Sequence, residues 1–118
     1  MATYSFKDLL VWQRSMMLVE NTYQLVGKLP AVEKYALSDQ IRRSAVSVPS
    51  NIAEGQKRLN RQETIQFSGV ALGSLAELQT QLILCYRLYG LEIPGLIEEC
   101  DQIAKMLTAL IKSLRSKN

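Results

Sequence analysis

Apolar residues recur along most of this chain at alternating spacings of three and four, the period of an amphipathic helix. Two such segments fill the first half, about Lys7 to Lys28 and about Val32 to Arg58. Gly27 and Pro30 mark the end of the first helix. The predicted buried stripes are Leu9, Trp12, Met16, Val19, Tyr23 and Val26 in the first helix, and Leu37, Ile41, Ala45, Val48 and Ile52 in the second.

Two further helices are predicted over about Arg61 to Tyr89 and about Pro94 to Arg115. Asn60 and Glu63 have the spacing of a capping box at the start of the third helix, and Gly90 ends it. The predicted stripes are Ala71, Leu75, Leu78, Leu82, Cys85 and Tyr89 in the third helix, and Leu96, Cys100, Ile103, Leu107, Leu110 and Leu114 in the fourth.

Four amphipathic helices joined by short turns predict an all-α, antiparallel up-down-up-down four-helix bundle, a single domain over residues 1–118. Further apolar residues indicate either a wide core or a self-associating surface. Glycines inside a helix cost about 1 kcal/mol each relative to alanine, so a patch of small residues predicts close approach of another backbone. The further apolar residues are Leu10, Val11, Met17, Leu18, Leu84 and Ile111, and the helix-packing patch is Gly69, Gly73 and Ser74.

The stretch SAVSVPSNIAEG, residues 44–55, places Pro49 inside the second helical segment. Proline has no amide to give the carbonyl of Ala45 and costs about 3 kcal/mol in a helix interior. The segment therefore either breaks into two helices or continues with a kink. The apolar spacing runs through Pro49 unchanged, which favours one helix, kinked at the proline.

The opposite face of this segment carries a row of short polar groups. Three interpretations are open: the row satisfies the proline break and a neighbouring helix, it contacts a ligand such as phosphate, or it is an ordinary solvated face. The signature polar residues are Ser44, Ser47, Ser50, Asn51 and Glu54.

Positive charge is concentrated around this stretch. The whole chain carries a net charge of +3, and between Ile41 and Arg61 five cations face the single carboxylate of Glu54. Cations of this kind bind phosphates. No aromatic residue lies among them, so base stacking is not predicted. The candidate nucleic-acid-binding residues are Arg42, Arg43, Lys57, Arg58 and Arg61.

The chain contains no histidine, which excludes Ser-His and Cys-His nucleophilic pairs and the common His-containing metal sites. Cys85 and Cys100 are predicted to be buried, reduced thiols, with a disulfide as the alternative. Glu54 has Arg58 one turn later, so we expect an ion pair rather than a general base. We expect no enzyme activity, no metal and no cofactor.

The first residues do not have the pattern of a signal peptide, and no apolar run reaches the roughly 18 residues needed to cross a bilayer. We therefore expect a cytoplasmic protein that has no membrane partner.

Three stretches carry a resemblance: FKDLLVWQRS, LSDQIRRSAVSVPSNIAEGQKR and FSGVALGSLAELQTQL. In this order and spacing they resemble the S23-type four-helix bundle proteins encoded in intervening sequences of bacterial 23S ribosomal RNA genes. The resemblance implies a ring-like homopentamer. It also implies kinship with the accessory variability protein of diversity-generating retroelements, a pentamer that binds nucleic acid and works with a reverse transcriptase. The family signature falls here on Ser47 and Pro49 to Gly55, and its second block on Ala71 to Leu82.

Two functions follow as hypotheses. The first is a non-catalytic, oligomeric accessory protein that binds structured RNA, DNA or an RNA–DNA hybrid through backbone electrostatics. The alternative is a homo-oligomeric scaffold that binds a protein partner, such as a reverse transcriptase, and no nucleic acid.

Overall fold

The computed structural model describes residues 5–116 and contains four α-helices within them. Short 3-10 turns at Phe6–Asp8 and Ala31–Glu33 precede the first and second helices, and the described residues include no strand. The all-α, four-helix prediction is confirmed. The helices are α1 (Leu10–Val26), α2 (Leu37–Gln56), α3 (Arg61–Tyr89) and α4 (Leu96–Arg115).

The ends of α3 follow the predicted local signals. The Glu63 amide donates to Asn60 Oδ1 at 2.8 Å, which caps the start of the helix. Gly90 ends it in the left-handed region, at φ 65°. The fourth helix begins at Leu96 instead of Pro94, because Gly95 immediately before it is also left-handed, at φ 71°.

Neighbouring helices contact each other around the bundle: α1 touches α2 and α4, and α3 touches the same two helices. Within residues 5–116, no contact joins α1 to α3. Hydrogen bonds between helices give the relative direction of two helix pairs, because later residues of one helix bond to earlier residues of the other. They show that α2 with α3, and α3 with α4, are antiparallel; the full up-down-up-down order stays a prediction. The bonds join Ser44 to Gln81, Ser47 to Ser74, Gln79 to Asp101 and Arg61 to Leu114.

The core stripes of α2 and α3 lie where the spacing predicts. Ile41, Ala45, Val48 and Ile52 are buried, and α2 is uninterrupted through Pro49. A kink of its axis at the proline stays a prediction. The α3 stripe is buried from Ala71 to Cys85, whereas Tyr89 is exposed. In α4, Ile111 is buried and Leu110 is not, so the last turn of that predicted stripe is wrong.

The predicted stripe of α1 is partly right, since Val26 is buried and Leu9, Trp12 and Val19 pack against the core, but most of the fully buried residues lie one position earlier. The buried face is Val11, Ser15, Leu18, Thr22 and Leu25, whereas the predicted Met16 and Tyr23 are exposed. Two stripes overlap on this helix, and the one that contains hydroxyls lies in the core. A hydroxyl can be buried in a helix because it bonds its own backbone, as Ser15 Oγ does to the Val11 carbonyl at 2.7 Å.

Thr22 is the exception among these hydroxyls. It is fully buried, and its Oγ1 is the one buried side-chain oxygen or nitrogen within residues 5–116 that has no hydrogen-bond partner. An unpaired buried polar group costs about 1–3 kcal/mol.

We therefore expect Thr22→Val to raise the free energy of unfolding by about 1 kcal/mol, because valine keeps the shape of threonine and removes the unpaired hydroxyl. Urea denaturation measures it. Thr80→Val is the matched control, since Thr80 is exposed and its hydroxyl bonds the Ala76 carbonyl at 2.9 Å. Equal shifts in both variants would contradict the prediction.

Within the described residues, no helix combines the length and the hydropathy required to cross a bilayer.

Candidate functional site

Two members of the polar row on α2, Ser44 and Ser47, point at α3. Ser44 is buried, and its hydroxyl donates to Gln81 Oε1 at 2.6 Å, with the Ile41 carbonyl a second acceptor at 3.1 Å. Gln81 is buried as well. This pair therefore crosses the interior of the bundle and is closed to a ligand.

A second polar connection lies one turn further along α2. The hydroxyls of Ser47 and Ser74 are 2.7 Å apart. The Asn51 amide donates to the Ser47 carbonyl at 2.8 Å and to its hydroxyl at 2.9 Å. Three members of the row thus pair within the chain, a geometry that favours the structural interpretation of Ser44, Ser47 and Asn51.

The remaining two members lie elsewhere. Glu54 is exposed and its carboxylate accepts from Arg58 Nη2 at 2.7 Å, the geometry expected of an i,i+4 ion pair. Ser50 is exposed beside Pro49, on the side of α2 that faces α1.

Close backbone approach occurs at Gly55, not at the two glycines of α3. A Cβ added to Gly55 would stand 3.0 Å from Phe67 Cβ and 3.4 Å from the Thr64 carbonyl oxygen. At Gly69 and Gly73, a Cβ would meet nothing within 4 Å. Within this chain, neither Gly69 nor Gly73 is a point of close approach, because both face outward; their packing against another backbone stays a prediction. Ser74, the third residue of the patch, is buried and does pack against α2.

The five candidate cations do not form one cluster. Arg42 donates to the Lys34 carbonyl at 3.3 Å, and Arg43 pairs with Asp39 at 3.2 Å, near the start of α2. The helix rises about 1.5 Å per residue, which puts Arg42 about 21 Å along the axis from Gln56, the last residue of α2, and Lys57 and Arg58 follow it. The structure separates the five residues into two groups at opposite ends of α2.

The second group gains cations from α4. Arg61 Nη1 donates to the Leu114 carbonyl at 3.3 Å, which places the start of α3 against the end of α4. Arg58 lies over the Phe67 ring, 4.7 Å from its centroid. We call this group the basic end and define it as Lys57, Arg58, Arg61, Lys112 and Arg115.

Charge is segregated along α4. Its first six residues contain Glu98, Glu99 and Asp101, whereas no carboxylate occurs from Gln102 to Arg115. Lys112 and Arg115 lie in the last turn of α4, where cations favour the helix dipole, and the sequence of α4 alone does not connect them with the cations near α2. The change from negative to positive charge along α4 is the sequence signal for these cations. Combined with an antiparallel arrangement of α3 and α4, it places them beside Arg61.

A groove runs between α1 and α2. It has a volume of about 380 Å³ and a largely apolar surface. Beyond Val46, the same side of the bundle continues to Tyr23, Asp39, Arg42 and Arg43. We call the first part the α1–α2 groove; its lining includes Trp12, Met16, Val19, Val46, Pro49 and Ala53.

The two cysteines are buried and free, as predicted. Burial raises the pKa of both thiols, that of Cys100 to about 12, with the charges of Asp101 and Glu99 adding to the shift. A thiol with a raised pKa is a poor nucleophile, because the thiolate is the reactive form. Residues 5–116 bring no three His, Cys, Asp or Glu side chains together in a group that could hold a metal ion.

The comparisons with known proteins give one family and one fold. The family model described as 23S rRNA-intervening sequence protein matches residues 7–109. A crystal structure from Bacteroides thetaiotaomicron VPI-5482, of a protein with unknown function from the S23 ribosomal protein family, superposes with a TM-score of 0.76. That structure is 24% identical, and the match covers 87% of this chain and 99% of that one.

No functionally curated protein matches the sequence. The family match spans most of the chain and contains the polar row, the α1–α2 groove and most of the basic end. The matched range also includes nearly all residues of the three stretches that carry the resemblance. This chain belongs to the 23S rRNA-intervening sequence protein family.

Proposed function

We propose that this protein is a non-catalytic, oligomeric accessory protein that binds the phosphate backbone of structured RNA or of an RNA–DNA hybrid. The observation that carries the proposal is the bond from Arg61 to the Leu114 carbonyl. It joins the cations that follow the end of α2 and begin α3 to Lys112 and Arg115 at one end of the bundle. The proposed contact surface is the basic end.

The composition of this surface suits a polyanion. Its five cations are accompanied by the carboxylates of Glu54 and Glu63, so positive charge is in excess. Each phosphate that a cation neutralises releases counterions, which favours binding at low salt. Phe67 lies under the Arg58 guanidinium and does not offer its face to a base. Binding should therefore depend on backbone charge and not on sequence.

Assembly would strengthen this surface. Each chain carries a net charge of +3. A pentamer, the state that the resemblance implies, would carry about +15, enough to attract a polyanion over a long range. Several copies of the basic end would then act on one nucleic acid.

The test is a titration of an RNA hairpin with the wild type and a Lys57→Ala/Arg115→Ala variant between 50 and 300 mM salt. We expect the variant to bind about tenfold more weakly at the lowest salt, and the slope of log K against log salt to become shallower by about 2, one for each lost phosphate contact. The matched control is Lys28→Ala/Lys34→Ala, which removes the same charge from exposed residues outside the basic end.

No retention of RNA or DNA by the wild type at low salt would contradict the proposal. Equal weakening in both double variants would also contradict it, because binding would then follow net charge and not this surface.

A homo-oligomeric protein scaffold is the second candidate, and one observation favours it. The outward face of α3 consists largely of apolar side chains and glycines. Val70, Ile83 and Leu84 are exposed there, beside Gly69 and Gly73. An uncovered apolar face is typical of an interaction surface. A protein partner such as a reverse transcriptase would then bind the assembly without nucleic acid.

For self-association through this face, we expect Gly73→Leu to lower the molar mass in light scattering, because a bulky side chain would hold the partner surface away. Gly73→Ala is the conservative control and should keep the wild-type mass. An unchanged mass in Gly73→Leu would show that the outward face of α3 is not an interface.

A further inference from the structure

The α1–α2 groove is uncovered and carries a cation at one end. Met16 and Val46 on its walls are 40% and 41% exposed. Arg43, one turn before Val46 on α2, pairs with Asp39 through Nε but keeps a side chain that is 80% exposed. A guanidinium has five donors, so the pair with Asp39 leaves others for a second carboxylate. The groove therefore suits an apolar ridge with a carboxylate at one end.

The outward face of α3 has this composition. Ile83 and Leu84 are 42% and 38% exposed. Glu77 is exposed on the same helix and is the one carboxylate between Thr64 and Tyr89. Among the three ion pairs found within residues 5–116, none includes Glu77. The face thus presents two bulky apolar side chains and a carboxylate that has no cation.

The spacing of the two surfaces matches. Seven residues separate Arg43 from Ser50 in the middle of the groove, and seven separate Glu77 from Leu84. At about 1.5 Å per residue, each distance is about 10 Å along the helix axis. A carboxylate at Glu77 would therefore lie beside Arg43 when Leu84 lies in the apolar part of the groove.

The volume of the α1–α2 groove indicates the direction in which α3 would dock. If α3 entered parallel to α2, Ile83 and Leu84 would fill the groove of about 380 Å³. The opposite direction would bring Val70 there, flanked by Gly69 and Gly73, and one valine beside two glycines fills less volume than Ile83 with Leu84. Parallel docking is the arrangement that satisfies both charge and packing.

The occupant must come from another copy. Within the described residues, α1 and α3 do not contact each other, so the outward face of α3 points away from the groove of its own chain. Resting on the self-association proposed above, we propose that α3 of one copy docks into the α1–α2 groove of the next, with Glu77 paired to Arg43. Two different surfaces then meet at each contact, so the assembly is head-to-tail.

Charge reversal tests this pairing in the full chain. Molar mass and dissociation constant are measured by light scattering and sedimentation for the wild type, Arg43→Glu, Glu77→Arg and the double variant. Each single reversal should weaken self-association at least about tenfold, since like charges then face each other. The double variant should recover most of the affinity. Lys105→Glu, an exposed reversal on α4, should leave it unchanged, and circular dichroism should show equal helix content throughout.

A cross-link gives an independent readout. Because both native thiols are buried, Ser50→Cys and Leu84→Cys each introduce one accessible thiol. A co-refolded mixture should form a disulfide between the two variants, and neither variant alone should form one.

Single reversals that assemble like the wild type would overturn the pairing, as would a double variant that stays dissociated or a disulfide formed within one variant. A monomeric wild type would overturn self-association itself. An assembled wild type that is insensitive to both reversals would overturn only the proposed contact.

Discussion

Gly55→Val is expected to lower the free energy of unfolding by about 2–3 kcal/mol, because a side chain at this position must displace packed neighbours. The nearest of these are Phe67 Cβ, 3.0 Å from an added Cβ, and the Thr64 carbonyl oxygen at 3.4 Å. Thr64 Oγ1 also donates to the Gly55 carbonyl at 2.9 Å, so the two helices are held together at this point. Denaturation by urea, followed by circular dichroism, measures the change.

Gly69→Val is the matched control, since Gly69 lies in a helix as Gly55 does and a Cβ there meets nothing within 4 Å. Valine is slightly better than glycine in a helix, so this variant should be neutral or gain a few tenths of a kcal/mol. Both should be compared at concentrations where they have the same mass. Equal losses in the two variants would contradict the assignment of the effect to close approach at Gly55.

Ser44→Ala is expected to cost about 1–3 kcal/mol of unfolding free energy, because it leaves the buried Gln81 Oε1 without its donor at 2.6 Å. The reciprocal change should cost less. After Gln81→Leu, the Ser44 hydroxyl still has the Ile41 carbonyl as an acceptor, at 3.1 Å. The effect is therefore asymmetric between the two partners.

A double-mutant cycle measures this asymmetry. The variant Ser44→Ala/Gln81→Leu should be more stable than Ser44→Ala alone, because no buried oxygen is left unpaired. Additive losses would show that the two side chains do not depend on each other. A normal stability for Ser44→Ala would show that water reaches Gln81.

Local features of the fold were predictable. The α2 stripe from Ile41 to Ile52 and the cap at Asn60 each depend on residues within a few positions of one another. The continuity of α2 through Pro49 was predictable for the same reason, since the apolar spacing does not change there. Periodicity was less decisive on α1, where two stripes one residue apart both contain apolar side chains. The spacing alone does not tell which of them faces the core.

The candidate site was less predictable, because it depends on how the helices pair. The five candidate cations lie close together in the sequence, between Ile41 and Arg61. The length of α2 nevertheless separates them into two groups in space. Arg61 and Leu114 are 53 residues apart and hydrogen-bonded. Ser44 and Gln81 are 37 residues apart and form a buried pair. Such contacts require the antiparallel register of α2, α3 and α4, which no local pattern contains.

The charge segregation along α4 also gives the molecule an electric dipole moment. The bundle is 49 Å long and at most 26 Å wide, with carboxylates near the start of α4 and cations near its end. Such an elongated dipole rotates in the field of an approaching polyanion before any contact forms. The basic end would then arrive first, and added salt would slow the encounter by weakening this alignment.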